Sequence, residues 1–160
     1  MYFCCSKHIL FKTYFLAKKL AYTKHQRAAV EIIWIFNFLD EHISSILKGF
    51  GLTHVQFNIL RLLQSEYPDV ISVGEVKDRV LFKTSDVTRI LDRLVKKELV
   101  ERSLCEHNRR KMDLRISEKG LMLIDDVLPK LNKTLDELLT DKISEQEAAL
   151  IVELLKKIRN

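Results

Sequence analysis

The sequence predicts a mainly α-helical chain with one small β-hairpin, and three observations carry that prediction. Glycine and proline are scarce, four and two among 160 residues, which disfavours a turn-rich β sandwich. Apolar residues recur at helical spacing through most of the chain. Only between about Val100 and Ile116 does the period shorten to two, the spacing of a half-buried strand. With 47% hydrophobic residues the chain can build a core, and its length suits one domain with helical extensions.

The elements follow in order. Residues 1–22 are apolar but interrupted by Lys7, Lys12, Lys18 and Lys19, so they lack the unbroken apolar core of a secretory signal. They are expected to be a basic N-terminal arm, either disordered or the product of a start codon assigned too early. From about Thr23 to Lys48 one long helix is predicted. Ile32, Ile35, Phe36, Leu39, Ile43, Ile46 and Leu47 form its main stripe, and Trp34 and Phe38 lie on another face. A helix with two apolar faces is covered from two sides, and one cover can be a second subunit. Gly49 and Gly51 end it. Thr53-x-x-Gln56 is a capping box, a pair of side chains that satisfies the free N–H groups opening a helix. That helix carries Val55, Ile59, Leu62 and Leu63 and stops near Pro68.

Ser72-x-x-Glu75 is a second capping box, opening a short helix with Val73, Val76 and Val80. After a four-residue link, Ser85 to Lys97 carries an apolar stripe of Val87, Ile90, Leu91, Leu94 and Val95. Ser85, Arg89, Asp92, Arg93 and Lys96 occupy its opposite face. Two alternating runs follow, Val100, Arg102, Leu104 and Met112, Leu114, Ile116, flanking a charged tip at residues 106–110. Ser117 then opens a helix with Leu121, Ile124, Val127, Leu128 and Leu131, expected to bend at Pro129. Ser144-x-x-Glu147 caps a last helix with Leu150, Ile151, Leu154, Leu155 and Ile158.

Charge is distributed unevenly. Residues 1–30 hold six Lys/Arg and no acid, and residues 75–115 hold twelve basic and eight acidic residues, whereas the intervening and final segments are acidic on balance. A polyanion is therefore a plausible partner of the middle segment. No apolar run approaches the roughly 20 residues of a spanning helix, so no membrane partner is expected. Three cysteines, Cys4, Cys5 and Cys105, make no disulfide framework, and a reduced, cytoplasmic setting is the expectation.

Enzyme signatures are missing. The sequence has no Gly-rich phosphate loop, nucleophile elbow or HExxH. Its five histidines are scattered, and Cys105-x-His107 lacks two further ligands for zinc. No catalytic residue, metal or cofactor is assigned, and the chain is not expected to be an enzyme.

Two short helices joined by a four-residue link, the second with a polar basic face, match a helix-turn-helix. An ordinary solvated helix face is the other interpretation. The second helix would enter the major groove with its N-terminal residues nearest the bases. Lys83, Thr84, Ser85, Thr88 and Arg89 are the candidates there, with Arg93 secondary. Hydroxyls suit phosphates and bases, and Arg can fork onto guanine. The hairpin tip adds Asn108, Arg109, Arg110 and Lys111 on an arm beside this helix, and a narrow minor groove attracts inserted Arg.

These motifs resemble the MarR family of winged-helix transcription regulators over about residues 30–158. The resemblance rests on Leu52-Thr53-x-x-Gln56-Phe57-x-x-Leu60, on Val87-Thr88-Arg89-Ile90-Leu91-Asp92-Arg93-Leu94, and on Leu99-Val100-x-Arg102. It rests also on Asn108-Arg109-Arg110 followed by Leu114-Arg115-Ile116-Ser117-Glu118-Lys119-Gly120. Two positions depart from the family pattern: Asn108 stands for an Asp, and Glu98 for the Gly that usually follows the reading helix.

The resemblance implies a winged helix-turn-helix over residues 51–117, with residues 23–50 and 118–160 forming a helical dimerisation region. It implies a homodimeric, DNA-binding regulator, a ligand-responsive repressor of a palindromic operator. Helix 85–97 would lie in the major groove and the wing, 105–112, in the minor groove of double-stranded DNA. A small-molecule effector is a further implied partner, with Trp34, Phe38, His42 and Phe57 as candidate ligand-binding residues. The alternatives are a winged-helix protein-interaction module and a cysteine-based redox-sensing regulator.

Overall fold

The computed structural model describes residues 22–80, 86–105 and 108–159, with the backbone alone for 108–111. Residues 1–22, the expected basic arm, therefore lie outside the described residues except for Tyr22. The chain divides into two compact units, one ending at Phe38 and one beginning at Leu39.

The first unit contains most of helix α1 (Lys24–Gly49). Its start is capped by Thr23 and Gln26. The Gln26 amide donates to Thr23 Oγ1 (3.2 Å), and the Thr23 amide donates to Gln26 Oε1 (2.9 Å). Within this unit Ile32, Ile33, Ile35 and Phe36 are exposed.

The second unit begins with the last turns of α1 and holds the core. Leu47, Leu52, Phe57, Ile59, Leu60, Leu63, Val76, Leu91, Leu94, Leu114, Ile124 and Val127 are among its buried residues. Helix α2 (His54–Glu66) starts at the expected capping box, with Gln56 N–H donating to Thr53 Oγ1 (3.3 Å) and Thr53 N–H to Gln56 Oε1 (3.0 Å). The box places Phe57, Leu60 and Leu63 inward at helical spacing. Removing one such buried leucine to alanine costs roughly 2–5 kcal/mol.

Strand β1 (Ile71–Ser72) was not expected. It is followed directly by α3 (Val73–Arg79), whose Ser72–Glu75 capping box is formed as predicted. Helix α4 (Val87–Lys96) buries Val87, Leu91 and Leu94, and Asp86 stands at its N-cap position. The predicted first residue, Ser85, lies outside the described residues. Strands β2 (Val100–Cys105) and β3 (Asn108–Ile116) form the hairpin, and β1 pairs with the other edge of β3, giving a three-stranded antiparallel sheet in the order β1-β3-β2.

Helix α5 (Glu118–Leu139) is continuous through Pro129, which is exposed. Its start is fixed by Ser117, whose Oγ accepts from Gly120 N–H (3.0 Å). Ile124, Val127 and Leu131 face the core at alternating steps of three and four. Helix α6 (Glu145–Arg159) is capped by Ser144 and Glu147 and buries none of its residues. Leu150, Ile151, Val152, Leu154, Leu155 and Ile158 are all exposed. Among the described residues, no helix is long and apolar enough to cross a membrane.

The end of α4 and the start of α5 meet at a tight seam. Glu98 adopts a positive φ of 61°, the left-handed conformation in which helices commonly terminate. This lets Glu98 N–H reach Val95 O and Leu99 N–H reach Leu94 O. Ser117 Oγ donates to Glu98 O (2.6 Å), and Ser117 N–H donates to Leu99 O (3.1 Å). A Cβ on Gly120 would stand 2.3 Å from Leu99 O and 2.7 Å from Ile116 Cγ1. Gly120→Ala should therefore destabilise the second unit by about 1–3 kcal/mol, the range for forced overpacking, as read from the denaturant midpoint. A loss no larger than the few tenths typical of an exposed helix site would contradict the seam.

Candidate nucleic-acid interface

Burial of Val87, Leu91 and Leu94 leaves the other face of α4 to solvent. Thr88, Arg89, Asp92, Arg93 and Lys96 are all exposed there. This is the polar face the sequence assigned to the reading helix. Lys83, Thr84 and Ser85 lie outside the described residues.

Arg89 sits 3.9 Å from Asp86 with both side chains well exposed. Such a contact is worth little in water and leaves the guanidinium available. Arg93 has no ion-pair partner among the described residues.

The wing is shaped by register. Val100 pairs with Ile116, Arg102 with Leu114 and Leu104 with Met112, after which Cys105 pairs with Asn108. Arg109, Arg110 and Lys111 are therefore extra residues on β3 at a register shift between Leu104 and Cys105. Irregularities of this kind bend a strand and re-aim what it carries. Asn108 to Lys111 thus belong to the returning strand, whereas the sequence put the tip at 106–110. Their side chains, and His107, lie outside the described residues. Cys105, at the end of β2, is half-buried.

Three contacts at the reading helix were not legible beforehand. In the sequence Arg102 is part of the alternating strand run and of the motif Leu99-Val100-x-Arg102, and neither names a partner for it. Its Nη1 donates to Asp92 Oδ1 at 2.9 Å. Lys97 Nζ donates to Gly51 O at 2.6 Å, joining the end of α4 to the turn after α1. Lys119 Nζ donates to Glu98 Oε2 at 2.7 Å. The paired residues stand 10, 46 and 21 positions apart, too far for any local spacing rule.

The candidate ligand residues fall in different units. Trp34 and Phe38 belong to the first, where Trp34 is half-buried and Phe38 exposed. His42 and Phe57 belong to the second. Phe57 is part of the core cluster. A separate open cleft of about 520 Å³ lies within the second unit, lined by Ile46, Phe50, Lys130, Lys133, Thr134 and Glu137 among others. Lys130 Nζ stands 4.7 Å from the centre of the Phe50 ring, in cation–π range.

Comparison with known proteins bears on this arrangement. The model of the MarR family matches residues 50–111, the stretch from the turn before α2 into the wing. HTH-type transcriptional regulator MhqR of Bacillus subtilis is 27% identical over 123 residues, covering 77% of this chain and 83% of that protein. Transcriptional repressor MprA of Escherichia coli is 30% identical over 100 residues. That match covers 62% of this chain, which spans only 57% of the repressor's length. A crystal structure of an E. coli MarR mutant complexed with operator DNA superposes with a TM-score of 0.72 at 25% identity, covering 81% of this chain and 91% of that one.

Around the end of α4 electrostatics follows hydrogen bonding. The bond from Lys119, reinforced by its charge, holds the Glu98 carboxyl below the usual carboxylate range. A carboxyl lowered in the folded state stabilises it above the ordinary value of 4.5, and that contribution is lost as pH falls below it. Glu98→Gln should lower the denaturation midpoint near pH 7 and converge with the parent chain in acid. A difference that persists unchanged in acid would show that the effect is not the ion pair.

Proposed function

We propose that this chain, which belongs to the MarR family, is a cytoplasmic, dimeric, DNA-binding transcription regulator that acts as a ligand-responsive repressor rather than an enzyme. The observation that carries this is the division of α4. Val87, Leu91 and Leu94 lock the helix into the core while Thr88, Arg89 and Arg93 stand exposed on its outer face. A bulged basic strand, β3, is paired to the strand that follows that helix.

On this proposal helix 85–97 enters the major groove. Lys83, Thr84 and Ser85 meet phosphates and base edges at its start, Thr88 and Arg89 follow, and Arg93 is secondary. Residues 105–112 form the wing, with Asn108, Arg109, Arg110 and Lys111 toward the minor groove. A narrow groove concentrates negative potential, which favours inserted arginine. Two copies related by a two-fold axis would address half-sites about one helical turn, roughly 34 Å, apart.

The dimer is supported by α6. A helix of fifteen residues that buries none of them has little to stabilise it alone, because isolated helices of that length are marginal in water. Its uncovered leucines and isoleucines are what a second subunit would cover. Residues 23–50 and 118–160 then form the dimerisation region and 51–117 the DNA-binding domain. Effector binding is proposed to involve Trp34, Phe38, His42 and Phe57. The cleft beside Phe50 and Lys130 is a second place with apolar and cationic walls.

Four outcomes test the proposal. Log affinity for duplex DNA should fall with log salt at about 0.9 per phosphate neutralised; a flat response would favour a protein-interaction module. Arg110→Ala should weaken duplex binding with the dimer intact, and Arg89→Ala should relax sequence preference by about 1–3 kcal/mol if it contacts a base. Leu154→Asp should yield monomers at concentrations where the parent chain is dimeric, measured by analytical ultracentrifugation. A dimer unmoved by that change would place the interface elsewhere.

A further inference from the structure

We infer that Arg102 is a positioning residue for sequence recognition, acting through Asp92 on the reading helix; this rests on the DNA-binding function proposed above. Asp92 lies on the outer face of α4, three residues after Arg89 and four before Lys96, and its side chain is 49% exposed. Residues at those spacings share one helix surface. A carboxylate on the surface that approaches DNA opposes the phosphates unless something neutralises it.

Arg102 supplies that neutralisation from another element. It stands in β2 opposite Leu114, which is fully buried, and its side chain is only 25% exposed. Its Nη1 reaches Asp92 Oδ1 at 2.9 Å. Its Nε is buried and has no hydrogen-bond partner among the described residues. The guanidinium therefore points one nitrogen at Asp92 even though its buried Nε goes unsatisfied, which is costly.

The pair does two things. It cancels a misplaced negative charge, and it ties the outer face of α4 to the strand that leads into the wing. Apolar packing by Val87, Leu91 and Leu94 locks the helix against the core. The charged contact adds a directional tie on the outer face, and on this inference it refines the direction of Thr88 and Arg89.

The test measures binding of two duplexes by the full-length chain: one selected by the parent protein from a randomised pool, and a scrambled duplex of the same length and composition. Asp92→Asn should reduce the ratio of selected to scrambled affinity about tenfold, the scale of one lost base contact, without weakening scrambled binding. Arg102→Gln should weaken both, the selected duplex more, because Asp92 is left uncompensated. Adding Asp92→Asn to Arg102→Gln should restore scrambled binding but not the ratio.

A merely structural pair would instead weaken both duplexes in proportion to lost stability, and the second substitution would rescue nothing; either result overturns the inference. Should Arg102→Gln fail to fold, Asp92→Asn decides alone, since an unchanged ratio overturns the assignment. Failure of the parent chain to select any duplex would overturn the DNA-binding function itself, which a change confined to the variants would not.

Discussion

The absence of a side chain at Gly120 is the constraint on which the second unit depends. The Leu99 carbonyl occupies the space that a Cβ would need, and from there it accepts the Ser117 amide. The same few residues end α4, start β2, finish β3 and start α5. Separating Leu99 from residue 120 would lift the hairpin from the helix that follows it and loosen the left-handed turn at Glu98. That turn needs support, because a non-glycine residue there carries strain, and Ser117 and Lys119 both hold Glu98 in place.

From this seam charged contacts reach three neighbouring elements. Lys97 binds the turn after α1, Glu98 binds the first turn of α5, and Arg102 binds the outer face of α4. Helix α4 is therefore held at its C-terminal end and on one flank, while Thr88, Arg89 and Arg93 remain exposed. A surface that meets a polyanion needs this separation, since cations spent on internal pairs are unavailable to phosphates. The uncovered apolar side chains of α6 lie on a different element from these cations, as the proposed dimer and DNA contacts require.

Much of the fold was legible because its signals are local. Thr53–Gln56, Ser72–Glu75 and Ser144–Glu147 each span three residues, and a capping box depends on little beyond that span. The stripe of Val87, Leu91 and Leu94 and the alternation of Val100, Leu114 and Ile116 report burial directly, since periods of 3.6 and two map onto one face of a helix or strand. The cap at Thr23-x-x-Gln26 obeys the same rule. The exposed cations of α4 were also local, since their exposure follows from the stripe opposite them.

By itself, then, the sequence determined the helices, their starts, the hairpin and the polar face of α4, because each is set by neighbours within a turn or a strand pair. Tertiary structure alone decided the rest. The two-residue strand Ile71–Ser72 is too short to signal itself and exists only because β3 offers it an edge. The register shift that carries Arg109 to Lys111 depends on how the two strands pair, which their separate alternations do not specify. Glu98 could have taken another link, and only the fit of Ser117, Lys119 and Gly120 around it selects the left-handed one. Arg102 stands in a sequence motif, but only the packing of α4 on β2 brings Asp92 within 2.9 Å of it. Such contacts join residues whose separation in sequence carries no information about distance, and so they appear only when the chain is folded.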